Sequence, residues 1–234
     1  MLELKGVFSR GKGRTRPRYR QLLREIGATY SYFPPLPDPA SMPRGDGHVV
    51  LVIPAFLVGD PFTSPLRKFL LACGYRCQGW ELGVNWGPTP ALMDGLRRRF
   101  AELRAEQGGP ITLIGVSLGG LMARYLAYDY PEDVRQVITL VSPYNLPTKS
   151  TIAPLVRLCA PFYSASIEIG RLAQPLPVPA AALFTRDDAI VAWESCCDGN
   201  ERCAAIDVGG PHMWVCRNPK ALVAVAERLA SGPR

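Results

Sequence analysis

Histidine is scarce in this chain of 234 residues: it occurs twice, as His48 and His212. So low a count argues against a histidine-rich catalytic metal site, and any imidazole base must be one of these two. Long apolar runs are missing as well. The longest, Val49 to Val58, is broken by Pro54 and falls far short of the ~20 residues a helix needs to cross a bilayer. The N-terminus lacks the continuous apolar stretch of a secretory signal, so the expected location is cytoplasmic. Internal repeats and low-complexity tracts are also absent.

Acidic residues are depleted in one place. Residues 1–24 carry eight Lys/Arg against the single acid Glu3, a net +7 that equals the formal charge of the whole chain. The other residues balance at nineteen of each sign. Residues 1–47 are therefore read as a basic N-terminal extension, mainly solvated, with Tyr19–Ile26 as a candidate short helix. Peripheral contact with an anionic membrane is the alternative role for this charge. The tail lacks interleaved aromatics and the body shows no basic patch, so nucleic acid is not an expected partner. Seven cysteines, an odd number, suit mostly free and buried thiols. Cys196, Cys197 and Cys203 bracket a turn where one disulfide or a metal clip is conceivable, but their spacing matches no standard zinc pattern.

What the chain does have is a sharp local signal. The apolar run Ile111–Val116 drives into Gly115-Val116-Ser117-Leu118-Gly119, a Gly-x-Ser-x-Gly motif followed by the helix-like Leu118–Ala127. This is the pattern of a nucleophile elbow, a tight turn between a buried strand and a helix. A Cβ at either flanking glycine would meet the crossing chain, and the turn lifts the serine hydroxyl toward a helix N-terminus. Patterning elsewhere gives strands near 48–53, 75–80, 111–115, 136–141, 179–185 and 204–208. Helices fall near 63–73, 89–107, 118–128, 192–197 and 218–231. Alternating strands and helices predict a mostly parallel, doubly wound sheet flanked by helices.

Six segments in order, Val49–Asp60, Gly79–Pro88, Ile114–Gly120, Gln136–Pro143, Asp188–Val191 and Gly210–His212, resemble the α/β-hydrolases of the small bacterial lipase/esterase kind. The resemblance covers nearly all of residues 48–230. It implies an α/β-hydrolase fold over 48–234, with a short lid or cap, or alternatively a plain crossover helix, within 144–178. It also implies the chain order serine, acid, histidine. Ser117 is then the nucleophile and His212 the base, while His48 is a strand-end residue. The acid is Asp188, in an Asp-x-x-Val context; its neighbour Asp187 is the fallback, read as a solvated turn residue paired with Arg186.

Leu118 N–H is one oxyanion donor. The other is Phe56 N–H, with Ala55 second, because Pro54 has no amide proton. Most such lipases carry His-Gly where this chain has Pro54-Ala55, which restricts how the loop presents its amide. Trp80 and Trp86 are candidate substrate-binding walls. No metal and no cofactor is called for. The implied activity is carboxylic ester hydrolysis on a small-molecule ester or lipid. Thioester or amide hydrolysis, acyl transfer, and a non-catalytic binding scaffold are the alternatives.

Overall fold

The computed structural model describes residues 35–145, 150–151, 159–163, 169–197 and 203–232. The basic stretch 1–24 and its candidate helix lie outside these residues, as do the central parts of the expected lid.

Six strands form one sheet: β1 (Val49–Ile53), β2 (Arg76–Gly79), β3 (Ile111–Val116), β4 (Val134–Leu140), β5 (Ala180–Phe184) and β6 (Cys203–Asp207). Their order is β2-β1-β3-β4-β5-β6, and every neighbouring pair is parallel. Helices α1 (Asp60–Ala72), α2 (Pro90–Gln107), α3 (Leu118–Asp129) and α4 (Ile169–Leu172) lie in the connections between the first five strands, and α5 (Pro219–Ser231) follows β6. The chain winds outward from β1 to β2, then returns past β1 to β3. The carboxyl ends of β1 and β3 therefore flank the point where the winding reverses, the usual ligand crevice of an open α/β sheet.

The apolar pattern explains the layers. Residues 49–53 are all buried, as expected of a strand covered on both faces. Val50 and Val52 point into one core with Leu66, Phe69 and Leu70 of α1 and Leu222, Val225 and Leu229 of α5. Val49, Leu51 and Ile53 point the other way, into a core with Met93, Leu96 and Phe100 of α2 and Leu121, Met122 and Leu126 of α3. Truncating any of these to alanine should cost about 2–5 kcal/mol.

Helix ends follow local chemistry. Thr89 caps α2, accepting the Leu92 N–H at 3.3 Å with Pro90 at the first helical position, and the left-handed Gly108 ends it. α1 starts at Asp60, earlier than apolar spacing suggests, because Pro61 suits a first turn and Asp60 is held by other groups described below. The predicted helix near 192–197 is a single 3₁₀ turn, Trp193–Ser195.

His48 enters β1 at the amino edge of the sheet. It is buried; its Nδ1 bonds Asp46, which also pairs with Arg135 at 3.0 Å, and its Nε2 meets Thr112 Oγ1 at 3.0 Å. This Asp–His–Thr arrangement imitates a catalytic constellation, but it stands at the edge opposite to Ser117. Burial pushes the His48 pKa below its usual 6.5, against the opposing pull of Asp46. Below pH ~6.5 the unfolded chain therefore takes up the proton first, and stability falls as the medium is acidified. His48→Ala should lose about 1–3 kcal/mol and flatten that acid limb in thermal melts. Activity changed by more than about twofold in the folded variant would show that His48 does more than support the strand.

Candidate functional site

The site begins with backbone strain. Among the described residues four non-glycine residues have positive φ: Leu57 (63°), Glu81 (60°), Ser117 (51°) and Val141 (47°). Each follows the carboxyl end of one of the first four strands. Such positions cost of order 1–3 kcal/mol each and persist only where packing over-determines them. All four gather at one edge of the sheet.

The elbow shows why its glycines are glycines. A Cβ on Gly115 would lie 2.3 Å from Gly120 Cα and 2.4 Å from Gly119 O. One on Gly119 would lie 2.4 Å from Ile53 O, and one on Gly120 would lie 2.1 Å from Ser142 Oγ. Strand β3, helix α3 and the loop after β1 thus approach to backbone contact around Ser117, which is itself buried. Gly115→Ala is expected to lower stability by more than about 3 kcal/mol, since only backbone could move. A chemical melt within 1 kcal/mol of wild type would contradict this packing (about the scatter of a surface substitution).

At the end of β5, Asp188 turns inward with its side chain buried. Its Oδ1 accepts the N–H groups of Ile190 and Val191, both at 2.8 Å, which is the physical content of the Asp-x-x-Val pattern. Its Oδ2 accepts His212 Nδ1–H at 2.6 Å. A carboxylate only accepts, so Nδ1 carries the proton and Nε2 keeps its lone pair.

The histidine loop is fixed from several sides. Thr185 Oγ1 donates to Gly210 O at 2.7 Å, and Asp187 Oδ2 accepts Gly210 N–H at 3.2 Å. Asn218, which caps α5, donates to Val208 O at 3.2 Å and Gly209 O at 2.6 Å. The segment from His212 to Arg217 winds as 3₁₀ helix. Neither Asn218 nor Thr185 stood out in the sequence, because a cap and a strand-end threonine have no distinctive motif.

Ser117 and Asp188 follow strands separated only by β4, so their strand ends lie about 10 Å apart at ~4.8 Å per strand. An imidazole hydrogen-bonded to the carboxylate is of the size to bridge that gap. Leu118 opens α3, so its N–H has no intrahelical acceptor. Neither the Leu118 nor the Phe56 amide donates to an acceptor among the described residues.

Two sequence expectations are corrected. Trp80 is fully buried in the core and its Nε1–H bonds Gly83 O at 3.0 Å, so it cannot wall a substrate site; Trp86 is 57% exposed and remains available. Arg186 pairs not with Asp187 but with Asp207, at 3.2 Å, and lies over the Trp193 ring. A cavity of about 660 Å³ lies away from Ser117, between Leu36, Phe69, Trp214 and their neighbours, and contains none of the three candidate catalytic residues.

A family model for the alpha/beta hydrolase fold matches residues 96–166, the segment from α2 through Ser117 and β4. The chain has an α/β-hydrolase fold. Solved structures with this fold superpose over most of its length. A monoacylglycerol lipase from Paleococcus ferrophilus does so with a TM-score of 0.56 at 15% identity, over 80% of this chain and 96% of that one. A pyrethroid hydrolase gives 0.53 at 18% identity, over 80% and 98%. The thioesterase domain from a curacin biosynthetic pathway gives 0.52 at 14%, over 83% and 92%. No curated protein sequence matches the chain.

Other features of this α/β-hydrolase-fold chain bear on its surroundings. Arg124 of α3 is buried, donates to Leu172 O at 2.9 Å and Gln174 O at 2.7 Å, and stacks on Tyr144. It ties the elbow helix to the chain leaving the expected lid, whose residues 146–149, 152–158 and 164–168 lie outside the described set. No helix among the described residues is long and apolar enough to cross a membrane. The seven cysteines are unbridged, and burial pushes the Cys77 and Cys216 thiols up to about 12, which leaves them unreactive.

Proposed function

We propose that this protein is a serine hydrolase acting on carboxylic esters. The observation that carries the reading is the buried His212–Asp188 hydrogen bond, at the same sheet edge as a serine held in the left-handed region. In this mechanism Ser117 Oγ attacks the ester carbonyl while its proton passes to His212 Nε2. Asp188 holds the ring in the tautomer that can accept it and stabilises the imidazolium. The Leu118 and Phe56 amides receive the oxyanion. Collapse of the tetrahedral intermediate breaks the ester C–O bond, and the alcohol leaves with the proton from His212. Water then repeats the sequence on the acyl-enzyme and releases the acid. Similarity in fold to a monoacylglycerol lipase and a pyrethroid hydrolase supports a hydrolytic use of the site but does not choose the ester.

The test is intact-mass analysis after treatment with a fluorophosphonate, with peptide mapping. The expected result is one adduct on the peptide containing Ser117, with turnover of short-chain p-nitrophenyl esters. Folded protein that takes no label and turns over no ester would overturn the reading in favour of a non-catalytic scaffold. A matched oxygen-ester and thioester series then fixes the leaving-group preference.

A further inference from the structure

Asn85 lies in the loop after β2, between the two tryptophans, and is completely buried. Its Nδ2 donates to Pro54 O at 2.7 Å, and its Oδ1 accepts Gly87 N–H at 2.9 Å. Both partners are backbone groups of fixed polarity, so the carboxamide has one orientation; flipped, it would set oxygen against oxygen. Asn85 also uses its own backbone. Its carbonyl accepts Leu57 N–H at 2.8 Å, and its N–H donates to Val58 O at 2.9 Å.

One residue therefore holds the loop after β1 at positions 54, 57 and 58. Pro54 O belongs to the peptide unit before Ala55, and Leu57 N–H to the unit after Phe56. The unit between them carries the Phe56 N–H. Rotating that amide away would turn one of its neighbours and break a buried hydrogen bond, leaving a polar group unpaired. The loop needs such restraint because Leu57 is itself at φ 63°.

We infer that Asn85 is a positioning residue for the oxyanion site, locking the peptide units on either side of Phe56 so that its N–H faces the carbonyl held at Ser117. The inference rests on the ester-hydrolase reading. Asn85 touches no reacting atom, so its effect falls on transition-state stabilisation rather than on ground-state binding or proton transfer.

The experiment compares wild type, Asn85→Ala and Asn85→Asp on one p-nitrophenyl ester. It follows kcat and KM separately, the rate of fluorophosphonate labelling, and inhibition by a trifluoromethyl ketone, whose hemiketal oxygen mimics the oxyanion. Asn85→Asp keeps the size and the acceptor for Gly87 N–H but sets an oxygen against Pro54 O. In both variants kcat should fall roughly ten- to hundredfold, below the 10²–10³ for deleting a donor outright. Labelling and ketone affinity should fall in parallel, with KM within about twofold and the pH midpoint of the rate unmoved. Folded variants with kcat, labelling and ketone affinity within twofold of wild type would overturn the inference while the ester-hydrolase reading stands. Wild type that takes no label would overturn both.

A crystal structure of the phosphonylated wild-type enzyme decides the case if neither variant folds. The phosphoryl oxygen should sit within hydrogen-bond reach of the Phe56 and Leu118 amides with the Asn85–Pro54 bond intact. A phosphoryl oxygen held by other donors would overturn the inference.

Discussion

Ser117→Ala is expected to lower kcat for ester hydrolysis by about 10⁶, the scale of losing a nucleophile that acts as a unit with its base. The change removes one oxygen and leaves the backbone problem untouched, since alanine and serine face the same cost at φ 51°. The packing around the elbow is made by Gly115, Gly119 and Gly120 against backbone and Ser142, not by the serine side chain. The melting temperature should therefore stay within a few degrees of wild type, and the fluorophosphonate adduct should vanish. Steady-state turnover with circular dichroism on the same preparation checks both halves. A folded Ser117→Ala protein turning over ester within tenfold of wild type would mean the chemistry is done elsewhere.

Asp188→Asn should cost about 10⁴ in kcat, the scale of forcing the wrong tautomer on a catalytic imidazole. The asparagine can still accept the Ile190 and Val191 amides through Oδ1, so the turn survives. Its amide nitrogen then faces His212 Nδ1 and donates, moving the ring proton to Nε2, where a base is needed. Asp187→Asn is the control. Asp187 is exposed and its carboxylate accepts Gly210 N–H, a bond that the asparagine oxygen can keep. Its loss in kcat should stay below about tenfold, about 1.4 kcal/mol of barrier, because it adjusts the histidine loop without touching the ring. The reverse order of effects would make Asp187 the acid and would require the loop to rearrange from the geometry seen here.

These two carboxylates also show where reading the chain stops. Adjacent residues at a strand end point in opposite directions, so which one faces the histidine depends on how β5 closes against β6. The expected pairing of Arg186 with Asp187 failed for the same reason: Asp207 arrives from β6, twenty-one positions along the chain, and takes the guanidinium. Trp80 and Trp86 look equivalent in sequence, yet one completes the core and the other faces solvent, because the chain turns sharply at Glu81, φ 60°. Asp60 holds that turn by accepting the Trp80 and Glu81 amides, at 3.2 and 3.0 Å, across twenty residues.

The sequence by itself determined the alternation of strands and helices and the turn at Gly115–Gly119. Those features are local: apolar periodicity and glycines forced by close backbone approach. Only the tertiary structure decided the partners. It put His48 and His212 at opposite edges of one sheet, each beside an aspartate, and set His212 and its aspartate at the edge that carries Ser117. It also brought Asn85 onto the loop after β1. Hydrogen-bond partners separated by 24 to 31 residues are chosen by how strands stack, and no local pattern records that choice.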